Sequence, residues 1–227
     1  MLERVEKLIG KENVSKIASC CVMVVGLGGV GGYAVESLIR SGIRKIILVD
    51  YDTIDITNLN RQIITNRKNI SCYKTDEMEK RILSIVPDCQ VIKLTKKLDV
   101  SNVEDLFSYD IDYLIDACDS VLVKQELIRL CLENQVKFIS SMGTGNKLNP
   151  SMLMIDDVRK TSYDPIARRI RKYLKDHHIS GNVPVVYSKE KGNKFEGSVP
   201  SMMFVPAVAG LLCANFVIKD IINTCKK

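Results

Sequence analysis

The residues with the most chemical potential fall in three short stretches. VMVVGLGGVGG, residues 22–32, contains G-x-G-x-x-G as Gly26, Gly28 and Gly31. Glycines so spaced let a backbone turn tightly and approach phosphate oxygens. A helix that opens there adds unpaired N–H groups and the positive end of its dipole. DYDTIDITNLNRQ, residues 50–62, supplies Asp50, Asp52, Asn58, Arg61 and Gln62. Lys74 follows, and DACDS, residues 116–120, adds Asp119. Phosphoryl chemistry asks for such a set: positive charge at the reacting phosphate and a carboxylate for the metal. Hydride transfer would need an acid or base beside a nicotinamide. The two histidines, His177 and His178, are adjacent on a basic stretch and read as solvated surface. The nucleotide expected is therefore ATP. Each charged residue taken alone fits a solvated surface role; their recurrence just after successive strands makes them a site.

The elements that must position these residues alternate. Buried strands are expected over 20–25, 45–50, 89–94, 111–116 and 136–140. Helical spacing starts at Val30 and returns over 74–86 and 121–133. This is the pattern of an α/β, Rossmann-like fold: a mostly parallel sheet with helices on both faces. Ligands of such sheets sit at the carboxyl ends of the strands. Asp50 ends the second strand, 19 residues after Gly31, where a carboxylate can accept ribose hydroxyl bonds. Beyond residue 140 the pattern loosens into a C-terminal α/β elaboration, with strands over 152–155 and 184–187 and an amphipathic helix over 164–178. One domain is expected overall: a nucleotide-binding part (1–140), a substrate-facing elaboration (141–200), and a closing helix (201–227) packed on the body or a dimer interface.

Composition bounds the rest. A chain of 227 residues with 46% apolar and 26% charged residues folds without disulfides. Eight cysteines with no CxxC pair argue against structural zinc. The charged start MLERVEKLIGKENV has no apolar signal core, so a reducing cytoplasm is the expected compartment. Residues 202–218 are apolar but only at the short limit of a membrane span, and read as a buried or subunit-interface helix rather than a membrane anchor.

GLGGVGG, the D-x-D-x-I-x-x-T-N-L-x-R-Q segment, Lys74 thirteen residues after Arg61, and DACDS together resemble the ubiquitin-activating-enzyme-like adenylyltransferases. The resemblance implies that Gly29 lies against the nucleotide phosphates and Asp50 holds the ribose. It implies that Asn58, Arg61 and Lys74 contact the triphosphate, and that Asp119 ligates Mg2+. Arg4 matches an N-terminal arginine that this family inserts into the partner subunit's site, which implies a homodimer with Arg4 acting in trans. SSMGTGNKLNPS (140–151), IDDVRKTSYDPIARRIRKYLK (155–175) and the segment 198–221 are similar to one branch, the tRNA threonylcarbamoyladenosine dehydratases. That branch implies ATP-dependent ring closure on a modified adenosine of tRNA, through a carboxylate adenylate. The alternative is adenylation of the C-terminus of a ubiquitin-like sulfur-carrier protein, and a sulfur-transfer protein stays open as a partner. Tyr163 departs from the branch, which often carries Cys there. Cys118, within DACDS, reads as structural.

The helix over 164–178 sets Ile166, Ile170 and Leu174 on one face and Arg168, Arg169, Arg171, Lys172 and Lys175 elsewhere, a candidate surface for tRNA phosphates. Net charge follows the same division. Residues 155–195 carry 10 Lys and Arg against 5 Asp and Glu, whereas the remaining 186 residues carry 23 against 22.

Overall fold

A computed structural model describes residues 1–193 and 195–224; Lys194, counted in the basic excess, and Cys225 lie outside them. Seven strands form one sheet in the order β3-β2-β1-β4-β5-β7-β6. They are β1 (Cys21–Val25), β2 (Lys45–Val49), β3 (Gln90–Leu94), β4 (Tyr113–Asp116), β5 (Lys137–Ser141), β6 (Leu153–Asp157) and β7 (Pro184–Ser188). Pairing is parallel throughout except between β6 and β7. The expected elaboration thus joins the main sheet as its last two strands.

Strand periodicity sends alternate side chains to opposite faces. Val22, Val24, Ile46 and Leu48 meet α2 (Lys11–Ser19), α3 (Gly31–Ser41), α4 (Lys74–Ile85) and α7 (Phe204–Asn223) in one core. Met23, Val25, Ile47 and Val49 meet α5 (Val121–Glu133), α6 (Pro165–Asp176) and the 3-10 turn Val103–Ser108 in the other. The apolar run around Ile92 predicts a buried strand, yet Ile92 is 45% exposed because β3 is an edge.

The strand order reverses at β1. Its neighbours, β2 and β4, lie on opposite sides, and the chain leaves β1 for α3 on one face and β4 for α5 on the other, which opens a crevice at the carboxyl edge. α7 begins at that edge, where Pro206 lies against Gly29, and ends at the opposite edge, where Asp220 accepts from Lys137 and Tyr113. Among the described residues it is the one helix long and apolar enough to cross a membrane, and half of that stretch is buried. Its crossing with α3 is close: a Cβ on Gly210 would stand 2.2 Å from the Val30 carbonyl oxygen.

Two elements have no clear signature in the sequence. α1 (Glu3–Ile9) and α2 occupy the charged N-terminus, separated by Gly10 at φ +84°. Leu2 and Ile17 both lie where a Cβ on Gly42 would project, at the turn between α3 and β2. That turn is at the amino edge of the sheet, so α1 sits opposite the crevice.

Candidate active site

The glycine loop takes the shape its spacing requires. Gly26 has φ +90°, and a Cβ there would stand 2.7 Å from the Ala117 carbonyl oxygen. The loops after β1 and β4 therefore touch at the switch point. Gly28 differs: a Cβ there would meet nothing nearer than the Gln62 amide at 3.8 Å. The space beside its backbone faces the crevice.

Asp50 joins this loop to β2. Its Oδ2 accepts from the Leu27 N–H at 2.6 Å and its Oδ1 from the Asp52 N–H at 2.8 Å. Burial raises its pKa, opposed by the Lys74 charge and by these two N–H donors. Each oxygen keeps a lone pair for a ribose hydroxyl. Lys74, the first residue of α4, is buried, and its ammonium donates to Asp52 at 2.6 Å. Asp52 thereby fixes where that charge stands.

Arg61 lies against Gly29, with its Cγ 3.4 Å from where a Cβ would be. Its Nη1 donates to the Thr57 carbonyl oxygen at 3.0 Å and to Asn60 Oδ1 at 2.9 Å. No carboxylate pairs with it among the described residues, so its charge is available to an anion. Asn58 Oδ1 accepts from the Asp55 N–H and caps the turn Ile56–Asn58. Gln62 is 7% exposed, and its Oε1 has no hydrogen-bond partner. An orphaned buried acceptor costs about 1–3 kcal/mol, which a ligand donor in the crevice would recover. Across the crevice, Asp119 is exposed just beyond β4.

A group missed in the sequence supports that turn. Asp116 is 1% exposed; its Oδ2 accepts from Lys124 at 2.8 Å and from the Ser140 hydroxyl at 2.5 Å, and its Oδ1 from the Cys118 N–H at 3.2 Å. Burial works against the Lys124 ammonium, but the Asp116 charge prevails and raises the lysine's pKa. The cluster clamps the ends of β4 and β5 to α5 and aims the turn that carries Asp119.

Residues 2–226 match the sequence profile of the ThiF family. The chain belongs to that family. A curated relative, tRNA threonylcarbamoyladenosine dehydratase of Bacillus subtilis, is 39% identical over 97% of this chain and 94% of its own length. The Escherichia coli protein of that name is 37% identical over 74% of this chain and 63% of its own length. The crystal structure of the Escherichia coli dehydratase in complex with ATP superposes with a TM-score of 0.92 at 31% identity, covering 97% of this chain and 93% of that one. The family fold is thus the fold described above, and its similarity runs past residue 141 into β6, β7, α6 and α7.

The remaining residues divide. Burial, with Asp116 beside it, holds the Cys118 thiol well above its ordinary pKa, so it stays protonated and a poor nucleophile. Arg4 is exposed on α1, at the sheet edge opposite its own chain's crevice. On α6, Ala167, Ile170 and Leu174 are buried, while Arg168, Arg169, Lys172 and Lys175 face solvent. Arg171 is the exception to the expected cationic face. Its guanidinium turns inward to the Val158 and Thr161 carbonyl oxygens and the Thr161 hydroxyl, holding the segment before α6.

Proposed function

We propose that this protein is an ATP-dependent tRNA threonylcarbamoyladenosine dehydratase. The observation that carries the reading is the Arg61 guanidinium, without a carboxylate partner, against the glycine loop, with Lys74 near the Asp50 that braces that loop and Asp119 just beyond β4 at the same edge of the sheet. The threonyl carboxylate attacks the α-phosphate of ATP, and the bond to pyrophosphate breaks. A nucleophile within the same modified group then attacks the activated carboxyl and releases AMP, so the nucleoside loses one water overall. Arg61 and Lys74 meet charge as it builds on the α-phosphate. Asp50 and Gln62 hold the nucleoside end, and Asn58 borders the triphosphate.

Mg2+ fits this site. Among the described residues no cluster of three or more His, Cys, Asp or Glu could hold a metal alone. One exposed carboxylate, Asp119, is what Mg2+ needs when substrate phosphates supply its other ligands. When bound, the ion neutralises phosphate charge. A tRNA substrate puts the work of this protein in the cytoplasm.

The test is direct. Protein, ATP, Mg2+ and tRNA bearing threonylcarbamoyladenosine are incubated, and the tRNA is digested to nucleosides. A product lighter by one water is expected. ATP–pyrophosphate exchange stimulated by a ubiquitin-like sulfur carrier, but not by tRNA, would choose the carrier reading instead.

The working unit under this reading is a homodimer. Arg4 lies too far around the sheet edge to serve its own crevice and would enter that of a second copy. Met202, Met203, Phe204 and Leu211 leave an apolar surface exposed along the start of α7, beside the loop that holds Arg61. Arg4→Ala and Lys74→Ala should each be inactive. When the two variants are co-refolded, about half the dimers are mixed and each carries one intact site, so roughly a quarter of wild-type activity should return. A mixture no better than its components rules out the shared site.

A further inference from the structure

Tyr163 stands in an unusual place. It has φ +57°, a left-handed conformation that costs any residue with a Cβ and is rare for an aromatic. It is 64% exposed, so its ring gains nothing from burial. Both flanks are nonetheless pinned. Thr161 is 9% exposed and receives the Arg171 guanidinium. Asp164 is 3% exposed. Its Oδ1 accepts from the Ile166 and Ala167 N–H groups at 2.9 and 3.0 Å, and its Oδ2 from the Gly143 N–H at 2.9 Å.

That last bond fixes the address. Gly143 follows β5 at the carboxyl edge, two strands from the glycine loop. Tyr163 is therefore held rigidly outward at the edge where the crevice opens. Just beyond it Arg168 and Arg169 face solvent, and neither pairs with a carboxylate among the described residues. Tyr173, the other aromatic of this region, is used differently: its hydroxyl donates to Glu126 at 2.7 Å and its ring rests against His177.

A fixed, exposed ring beside unpaired guanidinium groups suits an RNA loop. Unstacked bases stack on aromatic side chains, and the adjoining phosphates take the positive charge. We propose that Tyr163 is the stacking platform for an unpaired base of the substrate tRNA, with Arg168 and Arg169 on the neighbouring phosphates. The proposal rests on tRNA being the substrate. It makes Tyr163 a positioning residue that presents the modified adenosine to the crevice.

The chain contains no tryptophan, which supplies a clean probe. Tyr163→Trp places a single indole at the stacking position, and Ile92→Trp places one on the edge strand β3. Binding of tRNA bearing threonylcarbamoyladenosine should quench emission from the first and leave the second unchanged. Tyr163→Ala should weaken tRNA binding roughly 5- to 150-fold. It should keep ATP affinity and the slope of log K against log salt, since no charge is removed. Tyr163→Phe should bind within about twofold of wild type, because the ring remains. Arg168→Glu should instead lower the salt slope by about one for each phosphate it leaves without a cation. Tight tRNA binding with Trp emission at position 163 unchanged, or a Tyr163→Ala variant that binds like wild type, overturns the stacking role alone. Wild-type protein that binds no tRNA overturns the substrate reading and this role together.

Discussion

Lys74→Ala should slow adenylate formation by two to three decades and leave the fold intact. Lys74 is 5% exposed, and its ammonium is held at 2.6 Å by Asp52, near the Asp50 carboxylate that braces the glycine loop. A charge already fixed where negative charge will grow needs no reorganisation during the reaction, and removing one such group costs about 3–4 kcal/mol of barrier. The structural cost is small, because the Asp52 carboxylate left behind is 44% exposed and water can solvate it. The decisive measurement is ATP–pyrophosphate exchange at saturating tRNA, with thermal unfolding in parallel. A drop in kcat at unchanged Tm is expected. Unchanged exchange would remove Lys74 from the reaction. Asp52→Asn keeps the cation but loosens its anchor, so its loss should be smaller than that of Lys74→Ala.

Much of this site is legible in the sequence, for a physical reason. Phosphate binding is done largely by backbone, and backbone that must turn sharply or be approached closely is written as glycine. Gly26 and Gly28 stand where those two demands fall. The alternation of strands and helices is enough to put Asp50, Arg61 and Asp119 at one edge of the sheet. The bonds that join distant elements are not legible. Helical spacing puts Arg171 among the outward cations of α6, but its partners are carbonyls of the preceding segment, which spacing alone does not reveal. The N-terminal helices read only as charged sequence, because their packing depends on a turn at Gly42 far along the chain. Lys124 does leave a trace. It shares a helical face with Leu127, Ile128 and Cys131, and a lysine on an apolar stripe of a core helix implies a buried partner.

Breaking that partnership should be the largest stability effect in the molecule. Lys124 and Asp116 are 0% and 1% exposed, unlike the surface pair Lys7–Glu3 at 73% and 80%. Exposed pairs contribute about 0–1 kcal/mol, because water replaces each partner. In the core, Lys124→Met leaves the Asp116 carboxylate without its counter-charge, a loss of about 3–5 kcal/mol. For a chain of this size that is a fall in Tm of roughly 6–20 °C. Asp116→Ala should be as damaging, since it strands Lys124 in the core, where burial opposes its charged form and no carboxylate offsets that. The double variant Asp116→Asn, Lys124→Met removes both charges and should regain most of the stability. Activity should not return with it. Asp116 Oδ1 receives the Cys118 N–H and so sets the turn that carries Asp119. An amide at that position no longer supplies the anion to which Ser140 and the turn are tied. Calorimetry and pyrophosphate exchange on the single and double variants separate the two roles. A double variant as unstable as either single would show that the cost lies in packing rather than in unpaired charge. Full activity in it would show that the buried pair does nothing to aim Asp119.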